Sequence, residues 1–338
     1  MKRKLFFLAL LSDSFLFILA QPDAGLIKQA GIWKDMSDNP INAHGGGIMY
    51  HNNTYYWFGE IKKGKTWRVP GVTSWEDYRV EASGISCYSS KDLLRWKYEG
   101  VALAPERKDS NSEIHYSKVI ERPKVIYNNH TKQFVMWMHI DKDDYSFAHT
   151  GVAVSDKPAG PYRYMGSLQP NGQMSRDMTL YKDDDGKAYL IYSSEDNKTM
   201  QVCLLSDDYL KPTTTYKRIL IGENREAPAI FKYQDKYYLI TSLCTGWDPN
   251  KALYAEADHP LDDWKLFGNP CTGPDADSTY HAQSTYVFPV AGKDNRFIFM
   301  ADRWDKTNLE DSRYIWLPLS FAGSKPVIEW KEQWAPGK

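Results

Sequence analysis

Three acidic residues each lie just before a similar tyrosine-rich, strand-like segment of the sequence. Glu121 lies in ERPKVIYN, Asp177 in SRDMTLYKDDDGKAYLIYSSE and Glu226 in REAPAIFKYQDKYYLITS. The tyrosines that follow them are 54 and 52 residues apart, about the length of a four-stranded propeller blade. Carboxylates at equivalent places of a repeat predict one shared pocket, and carboxyl groups in a pocket are suited to general acid–base chemistry.

The elements that must position these acids are short strands. After residue 40 the chain consists of apolar or alternating runs separated by turn residues, without a long stretch of helical period, which predicts an all-β fold. A pattern of two strands, a break and two more strands occurs five times. Each copy has a hairpin turn rich in Asn, Asp or Gly, namely HNNT, NNHTK, DDDGK, YQDK and AGKDN, as tight turns require.

Five copies predict a single five-bladed β-propeller over residues 21–338. A propeller brings the first strand of every blade to a central axis, so residues that open those strands converge at one end of the channel. Glu121, Asp177 and Glu226 open blades two, three and four. The DDDG sequence at 183–186 lacks the later ligands of a calcium loop and is interpreted as a hairpin turn.

The bulk composition excludes some classes of function. The 338 residues are 42% hydrophobic and 25% charged, with a net charge of −1, so the basic excess typical of nucleic-acid binding is missing. Residues 1–20 join a basic start to an apolar stretch interrupted by Ser12, Asp13 and Ser14. This pattern predicts a signal peptide rather than a membrane anchor, and hence a secreted or periplasmic protein.

The four cysteines lack the CxxC spacing of zinc or redox sites. Cys244 and Cys271 flank the second half of the fourth repeat and are the best candidates for a disulfide in an exported protein. Free buried thiols are the alternative.

The sequence resembles glycoside hydrolase family 43, and within it the exo-β-1,3-galactanase branch. The resemblance rests on AHGGGI at residues 43–48, ERPKVIYN, SRDMTLYKDDDGKAYLIYSSE, REAPAIFK and HAQSTYVFP, in this order. It covers about residues 40–330. The motifs identify the family more firmly than the substrate.

The resemblance implies roles for individual residues. Glu226 is the candidate general acid, and Asp177 would raise its pKa and orient it. Glu121 is expected to bind the 2-hydroxyl of the sugar, or alternatively to act as the base. Most members of the family take a base from an Asp that opens blade one, but NAHGGGIMYH has no carboxylate there. In the galactanase-like branch a glutamine of blade five holds the water, and Gln283 in YHAQST matches it; a polar channel residue is its alternative role.

Upstream of this gap, Asp35 and Asp38 lie in a polar loop and are not expected to replace the missing Asp. His44 and His281 open blades one and five, and each contacts substrate, helps to bind an ion or water in the channel, or serves a structural role; neither has a metal-ligand spacing. Sugar-stacking residues are expected among aromatic side chains in loops, which otherwise belong to the core or rim. These are Trp67, Trp75, Tyr78, Tyr145, Trp247 and Trp304.

The leading hypothesis is an exported, inverting β-galactosidase that removes galactose from β-1,3-galactan, the backbone of arabinogalactan, and works as a monomer without cofactor or metal. An α-L-arabinofuranosidase or β-xylosidase of the same fold is one alternative. A non-catalytic carbohydrate-binding propeller is another, because the usual base is missing. A protein-interaction propeller would leave the acids at the axis unexplained.

Overall fold

In the computed structural model, which describes residues 25–72 and 77–336, five antiparallel sheets of four main strands surround a central axis. The prediction of an all-β, five-bladed propeller is confirmed. The predicted signal peptide lies outside the described residues. Among the described residues there is no helix long and apolar enough to cross a membrane.

Each blade begins at the axis and runs outward in chain order. Blade one contains His44–His51, Thr54–Lys62, Ala82–Ser90 and Lys97–Leu103; blade two contains Val119–Tyr127, Phe134–Asp141, His149–Ser155 and Arg163–Leu168. Blade three contains Met178–Lys182, Ala188–Ser194, Thr199–Leu205 and Pro212–Ile219; blade four contains Arg225–Tyr233, Lys236–Leu243, Leu253–Ala257 and Lys265–Leu266. Blade five contains Gln283–Pro289, Phe297–Arg303, Arg313–Ala322 and Lys325–Glu329.

The remaining elements are short. Cys271–Thr272 pairs in parallel with the outer strand of blade five, and Trp67–Arg68 pairs with Tyr78–Arg79. The described part of the chain contains three turns of 3-10 helix, at Pro170–Gly172, Ala276–Ser278 and Leu309–Asp311. Ile27–Lys28 pairs antiparallel with Gln333–Trp334, so two segments from opposite ends of the described chain form one small sheet.

The hydrophobic core is divided among the five interfaces between neighbouring blades, and strand alternation explains this division. In Ala188–Ser194, the side chains of Leu190 and Tyr192 pack against blade two, whereas those of Tyr189 and Ile191 pack against blade four. Successive side chains of a strand point to opposite faces, so a strand buried on both sides reads as a continuous apolar run. The pattern of the sequence therefore encodes both interfaces of a blade at once.

The innermost strands of blades one, two, four and five are irregular near the end where they begin. Their pairing shifts between His44 and Gly47, between Glu121 and Lys124, and at the matching places of blades four and five. Gly45, Arg122 and Ala227 lie in these bulges with positive φ values of 58°, 55° and 54°. A bulge bends the strand and redirects the adjacent side chains, and here it turns them toward the axis.

Candidate active site

A cavity of about 530 Å³ lies at the end of the axis where the innermost strands begin. All four of the predicted catalytic residues line it: Glu121, Asp177, Glu226 and Gln283. Charged and polar residues that also line the cavity include Glu60, Arg122, His139, Tyr145, Asn197 and Cys244. The acids that open blades two, three and four therefore meet in one cavity, as the propeller geometry predicts.

Glu226 lies in surroundings that favour its protonated form. Burial, and next the negative charge of Asp177, raise the pKa of Glu226 to about 8 against the opposing charge of Arg122. Gln283 Nε2 donates to Glu226 Oε1 at 2.9 Å, and Asn197 Nδ2 donates to Oε2 at 3.2 Å. A carboxyl group that is protonated at neutral pH and fixed at both oxygens is suited to donate a proton.

Asp177 connects the acid to a buried arginine. Arg122 Nε lies 3.0 Å from Asp177 Oδ1, and its Nη2 lies 2.8 Å from Oδ2, the two-point pairing typical of arginine and carboxylate. The backbone N–H of Ala227, the residue after Glu226, donates to Asp177 Oδ2 at 3.1 Å. Asp177 thus fixes the backbone that carries the acid and supplies the charge that keeps it protonated.

Glu121 is held as an anion. Lys62 Nζ lies 3.3 Å from its Oε1, the Tyr145 hydroxyl donates to Oε2 at 2.7 Å, and His139 Nδ1 lies 3.6 Å from the same oxygen. Burial alone would raise the pKa of Glu121, but the Lys62 charge and the His139 contact outweigh it and hold the pKa well below its usual range. Such a carboxylate accepts hydrogen bonds strongly and is a weak base.

Glu60, in the second strand of blade one, lines this cavity, and Lys62 of the same strand contacts it; neither residue was found in the sequence. Lys62 Nζ lies 2.7 Å from Glu60 Oε2, and both side chains are almost completely buried. The signal was present in TYYWFGEIK, where Glu60 and Lys62 are two residues apart and so share one face of an otherwise apolar strand. The second strand of blade two shows the same pattern, with the polar residues His139 and Asp141 two positions apart and their side chains 2.9 Å from each other.

Gln283 is the first residue of the innermost strand of blade five. Its Oε1 accepts from Arg122 Nη2 at 2.6 Å and from Trp304 Nε1 at 3.1 Å. Its Nε2 donates to Glu226 Oε1, and to Ser242 Oγ at 3.1 Å. The glutamine thereby links the arginine, the acid and the aromatic wall of the cavity.

Three of the aromatic residues predicted to stack on sugar line the cavity, namely Tyr145, Trp247 and Trp304. The two indole rings meet edge to face with 5.2 Å between centroids, and Lys62 Nζ lies 5.3 Å from the ring centroid of Trp247. Trp67 and Tyr78 lie in the small two-stranded sheet outside the set of lining residues. Trp75 lies outside the described residues.

The two histidines proposed as substrate ligands lie outside the cavity lining. His44 is buried, stacks on Tyr314 with 4.7 Å between ring centroids, and lies 3.4 Å from Asp302 Oδ1, which is the structural alternative considered for it. His281 is exposed, with its Nε2 3.5 Å from Asp275 Oδ2. Its position before the strand of blade five does not bring it to the axis.

The disulfide suggested between Cys244 and Cys271 is wrong, since both thiols are free; of the two, only Cys271 is buried, as the alternative expected. Cys271 is buried in the apolar interface between blades four and five, whereas Cys244 lines the cavity and donates to the carbonyl oxygen of Asn224 at 3.3 Å. Burial, followed by the charge of Glu226, raises the pKa of the Cys244 thiol. Among the described residues there is no group of three or more His, Cys, Asp or Glu side chains arranged to hold a metal ion.

The cavity therefore combines Glu226, whose surroundings favour the protonated carboxyl group, Glu121, whose pKa is lowered, and two tryptophans. A proton donor and further carboxyl groups facing one cleft are the groups that cleavage of a glycosidic bond by acid–base catalysis uses, and aromatic faces suit sugar rings. These features define a propeller-type glycoside hydrolase.

Comparison with known proteins indicates the same class of enzyme. The model of the Glycosyl hydrolases family 43 matches residues 37–285, and the chain belongs to this family. The protein is 44% identical to a GH43 β-1,3-galactosidase solved with galactodeoxynojirimycin, with a TM-score of 0.85 over 91% of this chain and 100% of that one.

Two exo-β-1,3-galactanases are also similar. The enzyme from Phanerochaete chrysosporium is 34% identical, with a TM-score of 0.83 over 92% of this chain and 68% of that one. The enzyme from Clostridium thermocellum is 36% identical, with a TM-score of 0.77 over 91% and 66%. Among curated proteins, a xylan 1,3-β-xylosidase of Vibrio sp is 24% identical over 190 residues, which is 49% of this chain and 34% of that enzyme.

Proposed function

We propose that the protein is an exported, inverting glycoside hydrolase that releases galactose from β-1,3-galactan, with Glu226 as the general acid. The observation that carries the mechanism is the environment of Glu226, in which burial and Asp177 raise its pKa to about 8. The galactose specificity is supported by the similarity to β-1,3-galactosidases and galactanases at 34–44% identity. Export is supported by the basic and apolar residues 1–20.

In this reaction galactose binds among Glu121 and the tryptophans, with its glycosidic oxygen near Glu226. Glu226 donates its proton to the leaving oxygen as the bond to the anomeric carbon breaks. A water molecule adds to the opposite face and loses a proton to the protein. Glu121, held as an anion by Lys62 and Tyr145, accepts a hydrogen bond from a sugar hydroxyl that strengthens as positive charge develops on the ring.

Glu226→Gln tests this proposal with β-1,3-galactobiose as the substrate. We expect kcat to fall by about 10²–10⁴-fold, the usual value of a general acid, while binding to β-1,3-galactan is retained. An aryl galactoside with a very acidic phenol needs no protonation, and its hydrolysis is expected to fall much less. NMR should detect α-galactose as the first product of the wild-type enzyme.

Other results would contradict the proposal. A wild-type protein that binds galactan without hydrolysing it would be a carbohydrate-binding propeller. Activity confined to β-xylosides or α-L-arabinosides would overturn the galactose assignment, and β-galactose as the first product would overturn inversion. Retention of the full-length chain in the cytoplasm of its host would contradict export.

A further inference from the structure

The ERP sequence at 121–123 and the EAP sequence at 226–228 each place a proline directly after a residue with left-handed backbone. The φ value is 55° for Arg122 and 54° for Ala227, and both residues lie in the bulges at the axis. A residue before proline prefers an extended conformation, and left-handed backbone outside glycine persists where the surrounding structure fixes it. Contacts made by each residue must therefore hold its backbone in place.

A buried lysine holds the first of these two residues. Lys124 Nζ donates to the carbonyl oxygen of Arg122 at 3.3 Å and to that of Gly45 at 2.9 Å. Gly45 is the left-handed residue in the bulge of blade one, with a φ of 58°. The left-handed residue of blade four is held in a comparable way, since Ser284 Oγ donates to the carbonyl oxygen of Ala227 at 2.6 Å. One ammonium group thus ties the bulges of blades one and two together.

The surroundings of Lys124 are built to accommodate it. Its side chain is only 2% exposed and lies outside the cavity lining. A Cβ atom on Gly47 would lie 2.7 Å from Lys124 Cδ, so this glycine of the AHGGGI sequence leaves room for the lysine stem. Burial of an ammonium group is costly unless hydrogen bonds compensate it, and the two carbonyl oxygens accept such bonds.

The side chain of Arg122 joins both sides of the proposed reaction. Its Nε and Nη2 contact the two carboxylate oxygens of Asp177, and Nη2 also donates to Gln283 Oε1. Its Nη1 donates to the carbonyl oxygen of Ser284 at 3.2 Å. Asp177 supplies the charge that keeps Glu226 protonated, and the family resemblance implies that Gln283 holds the water. A misplaced Arg122 would therefore disturb proton donation and water attack together.

We propose that Lys124 is a positioning residue of the reaction, an inference that rests on the proposed function. Its two hydrogen bonds fix the left-handed backbone of Arg122, and this directs the guanidinium group to Asp177 and Gln283. Because Lys124 lies outside the cavity lining, it affects the chemical step through Arg122. The binding of galactose is left to Glu121 and the tryptophans.

Lys124→Met tests this role, because it keeps an apolar stem and removes the N–H donors. With β-1,3-galactobiose we expect kcat to fall about 10–100-fold, as misplacement of a reacting group does, with KM changed less than about twofold. Lys182→Met is the matched control and should keep the kcat of the wild type. Lys182 also donates to a backbone carbonyl of blade two, that of Tyr127 at 2.9 Å, but it is the last residue of its strand, at the end far from the cavity.

A double-mutant cycle separates positioning from a general loss of stability. Arg122→Met removes the guanidinium group, and in that background Lys124→Met should lower kcat less than about twofold, since one residue that acts through another is not additive with it. A loss of about 10–100-fold in both backgrounds would overturn the proposal. A folded Lys124→Met enzyme with the kcat of the wild type would also overturn it.

Gly47→Ala is the second variant and decides the question if Lys124→Met does not fold. It keeps every charged group, but its methyl group would lie 2.7 Å from Lys124 Cδ, so the lysine must move. We expect kcat to fall with KM retained and with cooperative thermal unfolding, and an unchanged kcat would refute the positioning role. Failure of the wild type to hydrolyse β-1,3-galactobiose would refute the proposed function instead.

Discussion

Asp177→Asn should convert Glu226, the proposed general acid, from a mostly protonated to a mostly ionised group at neutral pH. The substitution removes the negative charge that, after burial, contributes most to the raised pKa of Glu226. It also leaves Arg122 without its carboxylate partner, and that cation favours ionised Glu226. A nearby charge shifts a pKa by about 1–3 units, so we take the pKa of Glu226 to fall from about 8 to about 6.

The size of the effect follows from the protonated fraction of Glu226. At pH 7 this fraction would fall from about 0.9 to about 0.09, which is roughly a tenfold loss of kcat/KM. The ratio of wild type to variant would be about 2 at pH 6 and about 50 at pH 8. Because the protonation of the base affects both enzymes equally, it cancels from the ratio.

The assay is kcat/KM on β-1,3-galactobiose between pH 6 and 8, with thermal unfolding recorded at each pH. Asp263→Asn is the control, since Asp263 is exposed and pairs with Lys217 on the outside of the propeller; its ratio to wild type should stay near one. A ratio for Asp177→Asn that stays constant across this range would refute the reasoning. It would show that Asp177 only orients Glu226 and does not set its protonation.

Three further predictions concern the buried charges and the aromatic wall. Lys62→Met removes the cation that contacts two buried carboxylates, and urea unfolding should show a loss of about 3–5 kcal/mol; a loss below 1 kcal/mol would contradict this. Burial lowers the pKa of His139, but the hydrogen bond to Asp141 and the nearby carboxylate of Glu121 outweigh burial and raise it to about 9. The resulting stabilisation of the folded state is therefore present below pH 6.5 and is lost as pH rises through 9. His139→Gln should lower the free energy of unfolding by about 2–3 kcal/mol at pH 6 and by little at pH 10. Trp247→Ala should raise KM about fivefold, equivalent to roughly 1 kcal/mol of aromatic contact, with kcat nearly unchanged; an unchanged KM would place the sugar elsewhere.

The repeat and its turns could be predicted because they depend on local chemistry. In HNNT, Asn52 and Asn53 both adopt positive φ, 47° and 56°, as a tight hairpin between twisted strands requires. The acids that open blades two, three and four could also be placed, since strand order fixes which residues meet at the axis. These parts of the site need only the period of the sequence and the symmetry of a propeller.

The rest of the site depends on departures from that period. The bulge containing Arg122 turns an arginine into the cavity, and nothing in ERPKVIYN specifies a bulge. Glu60 lines the cavity with its Oε1 in the space where a side chain on Gly45 would begin, which is a relationship between two strands rather than a local pattern. His281, in contrast, was expected at the site but lies outside it. It is two residues before the strand of blade five, and its left-handed backbone, φ 61°, leaves its side chain on the surface.

The pairing of Ile27–Lys28 with Gln333–Trp334 brings two segments from opposite ends of the described chain side by side, outside the five blades. Register partners on antiparallel strands have Cα atoms about 5 Å apart, so a short linker could join the two segments. The chain could then be opened at the exposed turn around Asn129 and His130, at the far end of the blade-two hairpin from Glu121. A circular permutant of this kind would keep all five blade interfaces and the bulges at the axis. The order in which the blades are synthesised is thus separable from the order in which they surround the catalytic acids.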